Sequence, residues 1–445
     1  MAALFFGAVY TLVSLGRHAR METSAYDLGI FTQAVRGYAG PGAPLSEIKG
    51  PGFHLLGDHF HPILAVLAPF YRLWPDAAML LVAQSVLVCA SVFPIARFAI
   101  RRTGRAAGTA VALAYGLSWG LQGAVAFDFH EIAFAVPLLA FAMVALAEKR
   151  WTAAACWSLP LLLVKEDMGL TVAAVGLYLV YRRRRRLGLF LAAAGAAGVV
   201  LSIRVFVPAF NHAGVYPYAD RASDGLSGVL RLPAGFVEHP EKFGLVLLLL
   251  LATAFTAPRS SLLLIAAPSL TARLASDNPL YWDTGDVHYN AILMPIAFVA
   301  AVEGMTALRA STRPPLRLHA AAAPWIALAV AIALVPQRSF GDLLSPAFYR
   351  ADPHTVAADR VLRLIPDGAS VAASSRLTPR LAHRTDVVVF PSESSRPVRW
   401  IALDLKRRTD VPRPVAVQDS AQADLPGLGF ELVAQEDGVI LYRLP

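Results

Sequence analysis

Cysteine is almost missing from this chain of 445 residues: Cys89 and Cys156 are the two, and both fall inside apolar runs. Neither a disulfide framework nor a thiolate metal site can be built from them, and neither is a candidate nucleophile. Charge is scarce as well, 16% of residues against 56% hydrophobic, with a mean hydropathy of +0.53. That balance reads as a polytopic α-helical membrane protein. No internal repeat of fixed period is visible, so the inverted repeats of many carriers find no support. A removable leader is not expected either. Ala2 to Gly16 lacks a basic n-region, and Arg17-His18-Ala19-Arg20 is no small-residue cleavage site, so the start reads as a short first span.

The formal net charge of +9 would point to nucleic acid in a soluble protein. Here the arginines sit in breaks between apolar runs, where they set orientation, so no nucleic-acid partner is expected. Arg101, Arg102 and Arg105, then Lys149-Arg150, Arg182 to Arg186, Arg259, and Arg309, Arg313 and Arg317 are assigned to the cytoplasmic side. The spans between them are 1–16, 77–100, 107–126, 132–147, 152–165, 168–181, 187–208, 242–257, 261–275, 290–308 and 320–336, about eleven in all. The expected fold class is therefore an all-α polytopic membrane domain over 1–340. Its amino terminus is inside, and a loop over 17–76 lies outside with two interfacial helices, one after Asp27 and one from His61 to Leu73. Residues 350–445 read as a small extracytoplasmic α/β domain, with a helix from Asp352-Pro353 and β-like runs at 370–374, 386–390, 400–403, 430–434 and 439–442. Asp437-Gly438 is the turn of its closing hairpin.

Thr152 to Tyr181 tests this scheme. One helix of that length would run about 45 Å against a core of about 30 Å, so the segment is read as a hairpin broken at Lys165-Glu166-Asp167. Five ionisable clusters then fall at one membrane face: Tyr26-Asp27, Asp58-His59-Phe60-His61, Asp128-Phe129-His130-Glu131, Lys165-Glu166-Asp167 and Asp283 to His288. Charge at membrane depth is costly enough that such clusters are functional candidates by default. A second outer segment, Asn211 to Glu241, carries Tyr216, Tyr218 and Arg221, which suit either an acceptor or the interface.

Tyr26-Asp27-Leu28-Gly29-Ile30-Phe31 with Gln33, Gly57-Asp58-His59-Phe60-His61-Pro62, His130-Glu131 and Lys165-Glu166-Asp167 together resemble a bacterial family of predicted membrane proteins, a domain of unknown function grouped with the GT-C integral-membrane glycosyltransferases. Ala373-Ser374-Ser375, His383-Arg384 and Ala402-Leu403-Asp404 in the tail are similar too. The resemblance implies sugar transfer at the outer face from a polyprenyl-phosphate donor to a glycan, lipid or protein acceptor of the cell envelope. It implies residence in the plasma (inner) membrane. It places the catalytic base in the first outer loop, at Asp27, with Asp58 as the other acid there.

The residue types fit that chemistry, since glycosyl transfer needs a base for the acceptor hydroxyl and groups that stabilise the departing phosphate. Tyr26, Gln33, Lys165, Glu166, Asp167, Arg221, His288 and Tyr289 are the expected substrate contacts. His59, His61, Asp128, His130 and Glu131 are candidate ligands for a divalent cation, Mg, Mn or Zn. Each has a plainer reading: Asp27 as the N-cap of the following helix, the Lys165 cluster as a self-compensated ion group, His288 and Tyr289 as interfacial residues. A transporter or lipid flippase, or an inactive relative whose tail binds glycans, are the competing functions.

Overall fold

The computed structural model describes residues 1–219, 228–392 and 397–445. Arg221, one of the expected substrate contacts, lies outside the described residues.

Each expected apolar run is helical. Helices occupy Ala2–Ala19, Ala77–Thr103, Arg105–Gly116 with Trp119–Ala126, Ala135–Ala147, Trp151–Ser158, Met168–Tyr181, Arg185–Leu201, Glu241–Ala252, Ala267–Ala275, Leu293–Arg309 and Pro314–Leu334. Four stretches, Ala77–Thr103, Arg185–Phe210, His288–Arg309 and Pro314–Gln337, are long and apolar enough to cross a bilayer by length and composition. The others are shorter or interrupted, and proline explains several of the breaks. Pro62, Pro160 and Pro268 sit where a helix begins or tightens into a 3₁₀ turn, because proline has no N–H to donate into the preceding turn. The multi-pass character holds, while the helix lengths alone leave the number of crossings open.

The hairpin over 151–181 forms as expected. Its first arm tightens into a 3₁₀ turn at Leu159–Leu163, the chain breaks at Lys165 to Asp167, and Met168–Tyr181 runs back. That second arm packs on Arg185–Leu201 through glycines. A Cβ on Gly176 would stand 2.3 Å from the Ala192 backbone nitrogen, and one on Gly195 2.5 Å from that of Ala173. Small residues allow two backbones to close on each other where lipid offers no hydrophobic drive.

The tail forms a five-stranded sheet, β1 (Ser370–Ala373), β2 (Asp386–Val389), β3 (Trp400–Asp404), β4 (Glu431–Glu436) and β5 (Val439–Arg443), in the order β2-β1-β3-β5-β4. β1 lies parallel to β2 and β3, while β5 runs antiparallel to β3 and β4. The two-residue period of the strands sends Val371, Val387 and Ala402 into one hydrophobic cluster and Ala372, Val388 and Ile401 into the other. Asp437 and Gly438 both take positive φ, 46° and 85°, the backbone that a two-residue hairpin turn requires. Asp352 caps the helix Pro353–Leu362 by accepting from the His354 N–H. The helices Thr378–Leu381 and Val415–Ala423 were not expected.

Met21, just past the C-terminal end of the first helix, is buried in the tail's core cluster, and Val389 of the tail belongs to the membrane domain's cluster. The two parts share a packed seam, so a boundary drawn at 340–350 divides the chain but not the core.

Candidate active site

Asp27 has no helical cap to make. Its backbone sits at φ 86°, ψ −85°, the strained form of the γ-turn, which L-residues avoid. The following helix, Ile30–Ala39, has Gly29 at its N-cap and no side-chain cap. Asp128 ties this loop instead: its Oδ2 accepts from the Ser24 N–H at 2.7 Å and from the Ser24 hydroxyl at 3.0 Å. The plain N-cap reading of Asp27 is therefore replaced by a strained backbone whose carboxylate does not cap the following helix, and such strain concentrates at functional sites. About a third of the Asp27 side chain, 31%, stays open. Burial by the surrounding protein, with the Asp128 and Glu131 carboxylates adding, pushes its pKa up to about 8.

The segment 127–131 reaches Asp27 from the other side. Gln84, fully buried in a long span, holds it in place: Nε2 donates to the Ala124 carbonyl at 2.9 Å and Oε1 accepts from the His130 N–H at 3.0 Å. His130 Nε2 thereby lies 4.0 Å from Asp27 Oδ1 and its Nδ1 2.8 Å from Glu131 Oε2. Lys165, at the hairpin break, stands 3.0 Å from Glu131 Oε1. Glu131 is wholly buried, so the Lys165 ammonium compensates its charge, as a buried carboxylate needs, and the line of four alternates acid and base. The His288 ring stacks on His130 with 3.6 Å between centroids, and neither of its nitrogens has a partner. An orphaned buried imidazole facing an open cavity is a ready donor or acceptor for a ligand.

Glu166, the next residue of the break, binds the loop that carries His59 and Phe60. Its carboxylate meets His59 Nδ1 at 2.6 Å and accepts from the Phe60 N–H at 3.1 Å and the Tyr216 hydroxyl at 3.0 Å. The Tyr218 ring stacks on His59 at 4.7 Å, and its hydroxyl donates to Asp58, which also pairs with Lys49 at 2.9 Å.

A cavity of about 1030 Å³ opens among these groups. His59, His130, Lys165, Glu166, Asp167, Tyr216, Tyr218, His288 and Tyr289 line its polar part, while Leu170, Leu232, Leu274 and Ile292 supply an apolar wall. Arg273 joins them, clamped by the carbonyls of Tyr281 at 2.6 Å and Tyr289 at 3.2 Å and by the Asn290 side chain. The structure thus brings Asp27, His59, His130, Lys165, Glu166 and His288 to one place.

Other expected residues stand elsewhere. Gln33 is used up: its amide donates to the Val387 carbonyl at 2.7 Å and its oxygen accepts from Ser46 and the Ile48 N–H. Tyr26 lies under Lys49, whose Nζ is 5.7 Å from the ring centroid, and it is not among the cavity's lining residues. His61 packs edge-on to Phe31 at 5.8 Å. Asp283 caps the Gly285 N–H and Asp286 bonds Ser339, so neither joins the cavity. Among the described residues, no group of three or more His, Cys, Asp or Glu is arranged to hold a metal ion. Of the five expected cation ligands, Asp128 is spent on Ser24, His59 meets Glu166, His61 packs on Phe31, and Glu131 lies between His130 and Lys165.

Gln84, Arg273 and Asn290 went unrecognised in the sequence. For Arg273 the signal existed, a cation inside a run read as a span; for Gln84 and Asn290 a single amide in an apolar stretch says nothing until its partners are known.

A model of predicted membrane proteins matches residues 17–441. The chain belongs to the DUF2079 family of predicted membrane proteins. No curated protein matches this DUF2079 chain. Two crystal structures share its fold over their whole lengths, both of ArnT from Cupriavidus metallidurans. The form bound to undecaprenyl phosphate aligns with a TM-score of 0.55 at 13% identity, covering 100% of this chain and 97% of that one. The apo form gives 0.50 at 12%, covering 100% and 99%. This DUF2079 protein therefore shares the fold of ArnT.

Proposed function

We propose that the protein is a membrane glycosyltransferase, taking a sugar from a polyprenyl-phosphate-linked donor and passing it to a hydroxyl of a cell-envelope acceptor. The observation that carries this reading is a cavity with Lys165 and Arg273 at its polar end and an apolar wall, whose lining residue His130 lies 4.0 Å from the strained, partly open Asp27. An amphipathic donor suits both parts, and ArnT, of the same fold, has been crystallised with undecaprenyl phosphate. In this reading Asp27 takes the acceptor proton, Lys165 and Arg273 face the departing phosphate, and His288 and Tyr289 orient the sugar. The negative charge on the leaving phosphate is met by these cations. The topology that goes with it has about eleven crossings, the amino terminus in the cytoplasm and the tail domain outside the plasma membrane.

The test is transfer of labelled sugar from a polyprenyl-phosphate donor by purified protein in lipid nanodiscs. Asp27→Asn should lower transfer by about 10²- to 10⁴-fold at unchanged protein level. A base must be ionised to act, so wild-type kcat/KM should rise with pH and level off above the Asp27 value of about 8. Transfer that survives Asp27→Asn, or a flat profile between pH 6 and 9, overturns the assignment; movement of an intact lipid with no transfer would favour the carrier reading.

A further inference from the structure

Asp27 is held in its strained turn from two sides, and only one of them is the membrane domain. On the other side lies the tail. Ser375, at the end of β1, accepts from the Ala25 N–H at 3.4 Å. Two turns further along, Gln33 donates to Val387 of β2 at 2.7 Å, and Arg36 donates to the Thr385 carbonyl at 2.8 Å and lies 3.7 Å from Asp386. Before Asp27, the Met21 side chain is 1% exposed inside the tail's core, and its φ of 54° is itself a conformation that needs support. Arg407 donates to the Arg20 carbonyl at 2.8 Å and Arg380 to those of His18 and Ala19 at 3.2 and 3.1 Å.

The tail motifs make these contacts possible. The Asp404 carboxylate accepts from the N–H groups of Lys406 and Arg407 at 2.9 Å each, forming the turn that presents Arg407. The Ser374 hydroxyl accepts from the Asp404 N–H at 3.0 Å, locking β1 to β3 beside Ser375. Ala373-Ser374-Ser375 and Ala402-Leu403-Asp404, which the cavity does not use, thus converge on the stretch 18–36.

We infer that the tail domain is a positioning element of the active site: it clamps residues 18–36 so that Asp27 keeps its strained turn and its carboxylate faces His130. This deepens the assignment of Asp27 as base and rests on it. A residue forced to positive φ relaxes unless its flanks are fixed, and both flanks are fixed here by the same domain. Gln33, Arg36 and Ser375 are then positioning residues rather than substrate contacts.

The test is hydrogen exchange of the full-length protein in nanodiscs, read at residues 24–29, alongside the transfer assay. Gln33→Glu keeps the bonds from Ser46 and Ile48 but sets an oxygen against the Val387 carbonyl; Arg36→Gln removes the bonds to Thr385; Ser375→Ala removes the one to Ala25. Each should speed exchange at 24–29 by about tenfold, leave the long spans unchanged, and lower kcat with donor KM unaltered. Arg360→Ala, which removes an exposed pair with Glu436 that makes none of these contacts, should leave 24–29 as in wild type. Exchange that rises in the tail but not at 24–29 in all three variants overturns the clamp. Because exchange needs no substrate, its result stands apart from the transferase reading: faster exchange without any transfer activity in wild type would sink that reading and leave the clamp intact.

Discussion

Replacing Lys165 by methionine should cost more stability than replacing its partner, and the two changes together should cost less than their sum. Glu131 has no exposed side-chain surface, whereas 13% of Lys165 remains exposed at the cavity. At 3.0 Å and an effective dielectric constant of about 20, the pair attracts by about 5 kcal/mol, against desolvation of several kcal/mol per ion. The net worth of the pair is therefore small, but its rupture is not. Lys165→Met leaves the buried carboxylate with only His130 beside it, a loss of about 3–5 kcal/mol. Glu131→Gln leaves an ammonium that can still reach water in the cavity, a loss of about 1–3 kcal/mol. In the double variant neither orphan remains, so a coupling of about 2 kcal/mol or more should appear. The assay is equilibrium unfolding in mixed dodecyl-maltoside and SDS micelles, followed by intrinsic tryptophan fluorescence. Losses that add within about 0.5 kcal/mol would refute the buried pair and, with it, the line from Asp27 to Lys165.

Three further outcomes are expected. In the tail, burial pulls the His354 imidazole down, but the hydrogen bonds its ring donates to the Asp404 and Asp437 carboxylates outweigh it and hold its pKa above 6.5. Its contribution to stability is thus complete below about pH 6.5 and lost as pH rises through the raised value, so exchange at 353–362 should quicken with pH between about 6 and 9, beyond the chemical rate, in wild type but not in His354→Gln. Gly176→Leu should separate the two helices it joins and abolish folding or cost at least about 3 kcal/mol, seen as loss of the monodisperse peak on size exclusion; normal recovery would mean that the seam is not close-packed. Chelation with EDTA should leave transfer within about twofold, since Lys165 and Arg273 meet the phosphate charge; a loss restored by added magnesium or manganese would return the metal to the site.

Much of the fold could be read directly. Apolar runs separated by arginines located the helices, short β-like runs located all five strands, and the length of 152–181 forced a break at Lys165 to Asp167. Members of the buried ion cluster could be recognised wherever charge contradicted its surroundings, as at Glu131 and Lys165, because burial cost makes such residues conspicuous. Gln33 shows the limit: it lay in the same motif as Asp27, yet its partner Val387 is hundreds of positions away, and nothing local distinguishes a ligand contact from a clamp.

The amino-acid sequence by itself determined that this is a multi-pass helical membrane protein with a small α/β tail, and that its ionisable residues gather at a few breaks. Those are consequences of composition and short-range periodicity, which every segment carries within itself. Only the tertiary structure decided that the breaks meet around one cavity, that Asp27 is strained rather than capping, that Asp128 and Gln33 serve the backbone, and that the tail's core encloses Met21. Each of these depends on which distant backbone N–H or carbonyl satisfies a buried polar group, and that choice is made by packing, not by any local pattern.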